Sequence, residues 1–208
     1  AEAFRCPVER LRIDKSILRN GAKQKISFAE LAARAASAQR KLQVKANFQS
    51  QERSGTACFF AQPAKIKVDP ETGKVTILKM LPANDTGTVI NRLTYQGQVE
   101  GGMMQGLGFA LMENLRDEEG KIITPNLGEY KIPCAADVPP LETLLFQDQD
   151  GPGPFHSKPI GEHSAVPTAP CIANALYDAI GKQITELPLT ADAVYDAMKS
   201  ARGAGETR

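Results

Sequence analysis

The chain has 208 residues, enough for one large domain or two small ones. Its 25 basic and 24 acidic side chains leave a formal charge of +1, without the one-signed surface of a protein that binds nucleic acid or anionic membrane. No apolar run approaches the roughly 18 residues of a membrane span, and Ala1–Arg10 has no signal-peptide pattern, so neither insertion nor a leader is expected.

The first 20 residues form a mixed amphipathic segment that ends in a turn at Asn20–Gly21. Ser27, with Glu30 three residues on, has the pattern of a capping box and predicts a helix reaching to about Leu42. In "KIKVDPETGKVTI", Ile66/Val68 and Val75/Ile77 alternate around a proline–glycine turn, which predicts a β-hairpin with one wet, lysine-rich face. From Thr94 to about Leu115, the apolar spacing of Val99, Met103, Met104, Leu107, Ala110 and Leu111 is helical. Gly97, Gly101, Gly102, Gly106 and Gly108 interrupt that helix, each at a cost of about 1 kcal/mol relative to alanine. Such a burden admits two explanations: tight packing against a neighbouring element, or a cofactor lying on the glycine face with Gln98 and Gln105 as polar contacts. Irregular chain follows, with one strand near Leu141–Gln147. A helix is expected from Pro167 or Pro170 to a Gly181 C-cap, then a last helix after Thr190 and a frayed tail. No repeat or domain linker stands out.

Cys6, Cys58, Cys134 and Cys171 are too dispersed for a metal or iron–sulfur motif and read as thiols in a reducing compartment. His156 and His163 do not have the spacing of a ligand pair. There is no Gly-x-Ser-x-Gly elbow, phosphate loop or zincin helix. What remains is "SKPIGEHSAVPTAP", where Glu162 is the one acid between Asp150 and Asp178. An apolar loop would desolvate that carboxylate and raise its pKa toward that of a general base. A helix start downstream would favour its anion instead. Residue type alone favours a surface or capping acid.

Six segments in order, "KIKVDPETGKVTILKMLPANDTGTVIN", "GQVEGGMMQGLGFALME", "YKIP", "KPIGE", "IANALYDAIG" and "LPLTADAVYDAM", resemble the last part of the molybdopterin-binding subunit of the xanthine dehydrogenase/aldehyde oxidase family. The resemblance runs from about Ser27 onward. It implies that Gln98 contacts the pterin, that Gly97, Gly101 and Gly102 let backbone and cofactor approach, and that Glu162 is the active-site base, with Lys158 and Gly161 completing its motif. The implied reaction is hydroxylation with water as the oxygen source.

His163 stands where many members have proline, so it becomes a candidate substrate-pocket residue. Asn91–Arg92 replaces the family's asparagine–proline. A complete subunit is several times longer and supplies a further cofactor-binding glutamine, a glycine-rich substrate-pocket segment and an aromatic clamp, none of them recognisable here. The resemblance therefore implies a single C-terminal molybdopterin-binding domain, residues 1–208, completed by another molybdopterin-subunit chain in the manner of a split nicotinate dehydrogenase or a processed fragment. It also implies molybdenum in molybdopterin, in the cytosine dinucleotide form, with iron–sulfur clusters and FAD on partner subunits. The expected substrate is a small N-heteroaromatic, purine- or nicotinate-like, with an aldehyde as the alternative, and the expected location is cytoplasmic. A non-catalytic assembly subunit is the reading from a different class. The expected architecture is α+β, with helices on a small antiparallel or mixed sheet.

Overall fold

The computed structural model describes residues 1–41, 43, 45–50 and 57–205, which cluster into two compact units, Ala1–Gln49 and Ser50–Arg208. In the first unit, β1 (Leu11–Asp14), β2 (Ile17–Asn20) and β3 (Gln24–Ser27) form an antiparallel meander. Lys15 and Ser16 close its first hairpin with φ of 45° and 64°, the left-handed pair whose twist suits a two-residue turn. Gly21, at φ 66°, turns the second. The amphipathic opening segment is thus a pair of strands.

Helix α1 (Phe28–Ser37) starts at the expected capping box. The Glu30 amide donates to Ser27 Oγ at 3.1 Å, and the Ser27 amide donates to Glu30 Oε2 at 2.9 Å. The helix stops at Ser37, short of the expected end, and Gln39 takes a left-handed φ of 53° just beyond; Leu42 lies outside the described residues.

The second unit begins with β4 (Phe60–Ala61), β5 (Ala64–Val68), β6 (Val75–Met80) and β7 (Ala83–Asp85). The predicted hairpin is β5–β6, antiparallel, with a bulge after Lys65. Asp69 closes it by accepting the Glu71 and Thr72 amides at 2.8 and 3.2 Å. Helix α2 (Arg92–Leu111) follows, then the short pair β8 (Asp117–Glu118) and β9 (Lys121–Ile122), and β10 (Leu144–Phe146), shorter than the predicted strand. β10 pairs parallel with β7, and β4 pairs antiparallel on the other side, giving a small mixed sheet. Helices α3 (Thr168–Ile180) and α4 (Ala191–Gly205) complete the unit, with Gly181 capping α3 in the left-handed region at φ 69°. The expected α+β architecture is present.

The core is built where α2, α3 and α4 meet the β5–β6 hairpin. Met80, Met103, Leu107, Ala110, Ile172, Leu176, Leu189 and Val194 are buried together, with Ile66, Val68, Val75 and Ile77 packed against them. Full burial of each large apolar side chain contributes about 1.5–3 kcal/mol, so this seam holds α2 and α3 in fixed register. That register positions the loop entering α3 against α2.

Candidate functional site around the Glu162 loop

The segment Ser157–Pro167 leads from the mixed sheet into α3, and both its ends are anchored by buried polar groups. At the near end, the Lys158 amide donates to Thr86 O at 3.2 Å, and the His156 carbonyl accepts from the Thr88 amide at 3.0 Å. Gly87 makes this approach feasible: a Cβ there would lie 2.4 Å from His156 O, and its φ is 57°. The Lys158 side chain is only 4% exposed, and its Nζ sits 2.8 Å from Asp85, 2.7 Å from Asp150 and 3.2 Å from Asp148. Hydrogen bonds to Asp150 and Asp85 hold its pKa well above the ordinary lysine range, overcoming burial, with Asp148 adding to them. Three carboxylates this close could have taken a metal ion, and the tethered ammonium occupies that role instead.

At the far end, Gln62, which links β4 to β5, is buried, and its Nε2 donates to Ser164 O at 2.8 Å. The Thr168 hydroxyl, at the first turn of α3, lies 2.8 Å from both Gln62 Oε1 and Ser164 O. The underside of the loop rests on α2. A Cβ on Gly102 would come within 2.2 Å of Ser164 Oγ, and one on Gly106 within 2.5 Å of Thr168 Cβ and 2.7 Å of Ala165 O. Packing therefore explains these two glycines, and Gly108 likewise, since a Cβ there would meet the Glu113 carboxylate and Pro133. Gly97 and Gly101 differ: among the described residues, nothing beyond the helix's own adjoining turns lies within 4 Å of where their Cβ would be, so the helix backbone is open along that face. Gly101 and Gln105 continue into a cleft of about 470 Å³ also lined by Met104, Phe109, Ile132 and Pro133.

Between the anchors lie Gly161, Glu162 and His163. The Gln98 side chain reaches from α2 and donates from Nε2 to Gly161 O at 2.9 Å. The Gly161 amide donates to His163 Nδ1 at 3.2 Å, and the imidazole stacks on Phe60 of β4 with centroids 5.6 Å apart and planes 22° from parallel. Glu162 is exposed, so this chain by itself does not remove water from its carboxylate. It also precedes α3 by six residues, beyond the first turn over which a helix dipole acts.

The structure thus brings Gln98, Gly161, Glu162 and His163 together, with Gly97 and Gly101 open on the helix face beside Gln98. It puts Lys158 beneath the loop as an anchor and Gly102 under Ser164 as a packing surface. Asp85, Gln62 and Thr168 were not singled out from the sequence. Asp85 lies in the "ANDTG" segment that carries the resemblance, whereas nothing local marks Gln62.

All four cysteines are free thiols. Among the described residues, no helix is long and apolar enough to cross a membrane.

Comparison with known proteins places the chain in a family. The family model described as molybdopterin cofactor-binding domain matches residues 1–139. The chain is 37% identical over 133 residues to the xanthine dehydrogenase molybdenum-binding subunit of Escherichia coli, covering 63% of this chain and 18% of that protein. It is 32% identical over 142 residues to a nicotinate dehydrogenase component of Pseudomonas putida, covering 68% of this chain and 12% of that one. Among solved structures, the aldehyde oxidoreductase of Desulfovibrio desulfuricans aligns at a TM-score of 0.63 with 30% identity, over 68% of this chain and 15% of its own. Carbon monoxide dehydrogenase of Oligotropha carboxidovorans shares the fold over 98% of this chain and 26% of its own, at a TM-score of 0.71 and 21% identity. The chain spans less than a third of the length of each of these relatives. By its fold and its matched segments, the chain belongs to the molybdopterin cofactor-binding domain family.

Proposed function

We propose that the chain is the C-terminal, molybdopterin-binding part of a molybdenum hydroxylase that oxidises an N-heteroaromatic substrate with water as the oxygen source. Another chain completes the molybdenum subunit. One observation carries the reading: Gln98, the candidate cofactor contact, hydrogen-bonds to Gly161, the residue before the candidate base, across 63 positions of sequence.

The residues fit a pterin. Gly97 and Gly101 leave the α2 backbone open to a flat ligand, and Gln98 retains its carbonyl oxygen and a second N–H after bonding to Gly161. Gly102, Gly161 and Lys158 contribute by setting where the loop lies. When bound, molybdenum in its pterin supplies Lewis acidity and a two-electron sink. Glu162 accepts the proton of the attacking water, from a loop fixed by Lys158 at one end and Gln62 at the other. His163 forms part of the substrate wall beside it.

The cytosine dinucleotide form of the cofactor, an iron–sulfur subunit, an FAD subunit and a cytoplasmic setting belong to the same proposal. An aldehyde substrate is the second reading, supported by 32% identity over 143 residues to an aldehyde oxidoreductase molybdenum-binding subunit of Escherichia coli. The test is Glu162→Gln in the assembled complex. Turnover is expected to fall by about 10²–10⁴-fold with molybdenum content unchanged. Unchanged turnover would remove Glu162 as base and leave a non-catalytic assembly subunit as the better description.

A further inference from the structure

The Glu162 loop is held unevenly. Its ends are fixed by buried groups, Lys158 among three carboxylates and Gln62 with Ser164 and Thr168. Between those ends the Cys58 thiol reaches Pro159 O at 3.8 Å, and two further side chains both act on Gly161. Gln98 takes the Gly161 carbonyl, and His163 takes the Gly161 amide. Once the N–H and the C=O of one residue are both committed, the backbone entering the next residue has little freedom left, and that next residue is Glu162.

We propose that His163 is a positioning residue for Glu162, acting through the Gly161 amide; the proposal rests on the reading of Glu162 as the base. The ring is suited to this work. Stacking on Phe60 fixes its plane from β4, a strand that is hydrogen-bonded into the mixed sheet. Accepting at Nδ1 requires the neutral tautomer with its proton on Nε2. A ring protonated at both nitrogens would present N–H to N–H, and the tie to Gly161 would be lost.

The groups around the ring do not substitute for this tie. Phe60 of β4 and Gln98 of α2 carry no charge, and Glu162 is the titratable neighbour in the loop. Lys158 is engaged by Asp85, Asp148 and Asp150, and the Cys58 thiol lies 3.8 Å from Pro159 O. Holding Gly161 therefore requires His163 Nδ1 to be free of a proton.

The experiment uses the assembled complex with His163→Phe, His163→Asn and Glu162→Gln. Phenylalanine keeps the stack and loses the acceptor; asparagine loses the ring and keeps an acceptor atom at the Nδ1 position. For His163→Phe, kcat is expected to fall by about 10–100-fold with molybdenum content intact. Hydrogen–deuterium exchange of the peptide covering residues 157–167 should show the Gly161 amide exchanging about tenfold faster. His163→Asn should recover at least about tenfold of the kcat lost in His163→Phe and bring the exchange of the Gly161 amide back toward the parent. The proposal is overturned if His163→Phe matches the parent in kcat and Gly161 exchange, or if His163→Asn fails as badly as His163→Phe. An active Glu162→Gln would instead sink the general-base reading, while the exchange data would still report whether His163 holds Gly161.

Discussion

Lys158 places a single ammonium among Asp85, Asp148 and Asp150, and removing it would leave three carboxylates facing one another without a counter-charge. The sign of the linkage follows from the raised lysine pKa. The contribution is complete below the ordinary lysine range and is lost only as pH rises through the higher folded value, beyond any working pH. Lys158→Met is therefore expected to lower the melting temperature throughout the neutral range. The deficit should narrow in acid, as the carboxylates titrate and their mutual repulsion fades. Thermal melts of parent and variant across pH would check this; a deficit that widens in acid would contradict the assignment. This cluster was not legible in the sequence. Lys158 and Asp85 are 73 positions apart, and Gln62 and Thr168 are 106 apart, so no local pattern links the partners.

At the scale of elements, α2 carries its glycines for two different reasons on two different faces. Gly102 and Gly106 seat the Ser164–Thr168 segment, and an added methyl would collide with side chain and backbone alike. Gly106→Ala is expected to cost about 1–3 kcal/mol by overpacking, measured by denaturant unfolding. Gly101→Ala meets nothing and should stabilise the helix by about 0.5–1 kcal/mol, yet lower the molybdopterin content of the purified complex. Retained cofactor with Ala at this position would count against the open face as the pterin seat. The hairpin, the capping box and the apolar spacing of α2 were legible because each is written within a few residues. Which glycines pack and which stay open was not, because that depends on the Ser164–Thr168 segment, far along the chain. For the same reason, the apolar surroundings of Glu162 in sequence did not translate into burial in space.

Across the larger unit, Ser50–Arg208, large apolar side chains remain uncovered. Leu93 is 80% exposed, Val166 75% and Leu127 66%, and Phe109 and Ile132 flank the open cleft at 49% and 50%. Scattered exposed leucines are ordinary; aromatic and aliphatic groups gathered along a cleft are the mark of a contact surface. Produced alone, the chain is expected to self-associate and bind a hydrophobic dye. Co-expression with the remaining part of a molybdenum subunit should yield a defined heteromer. Size-exclusion chromatography of the two preparations decides this, and a well-behaved, dye-silent monomer would argue against a completing chain.

The lysine beneath the Glu162 loop has a further consequence. A calcium or magnesium ion in the same nest of aspartates would exchange with solvent, so the loop's footing would vary with dialysis, chelators and the metal supply of the cell. An ammonium fixed to the chain by four methylenes does not dissociate. The foundation under Glu162 is thus part of the chain itself, and neither dialysis nor a chelator removes it.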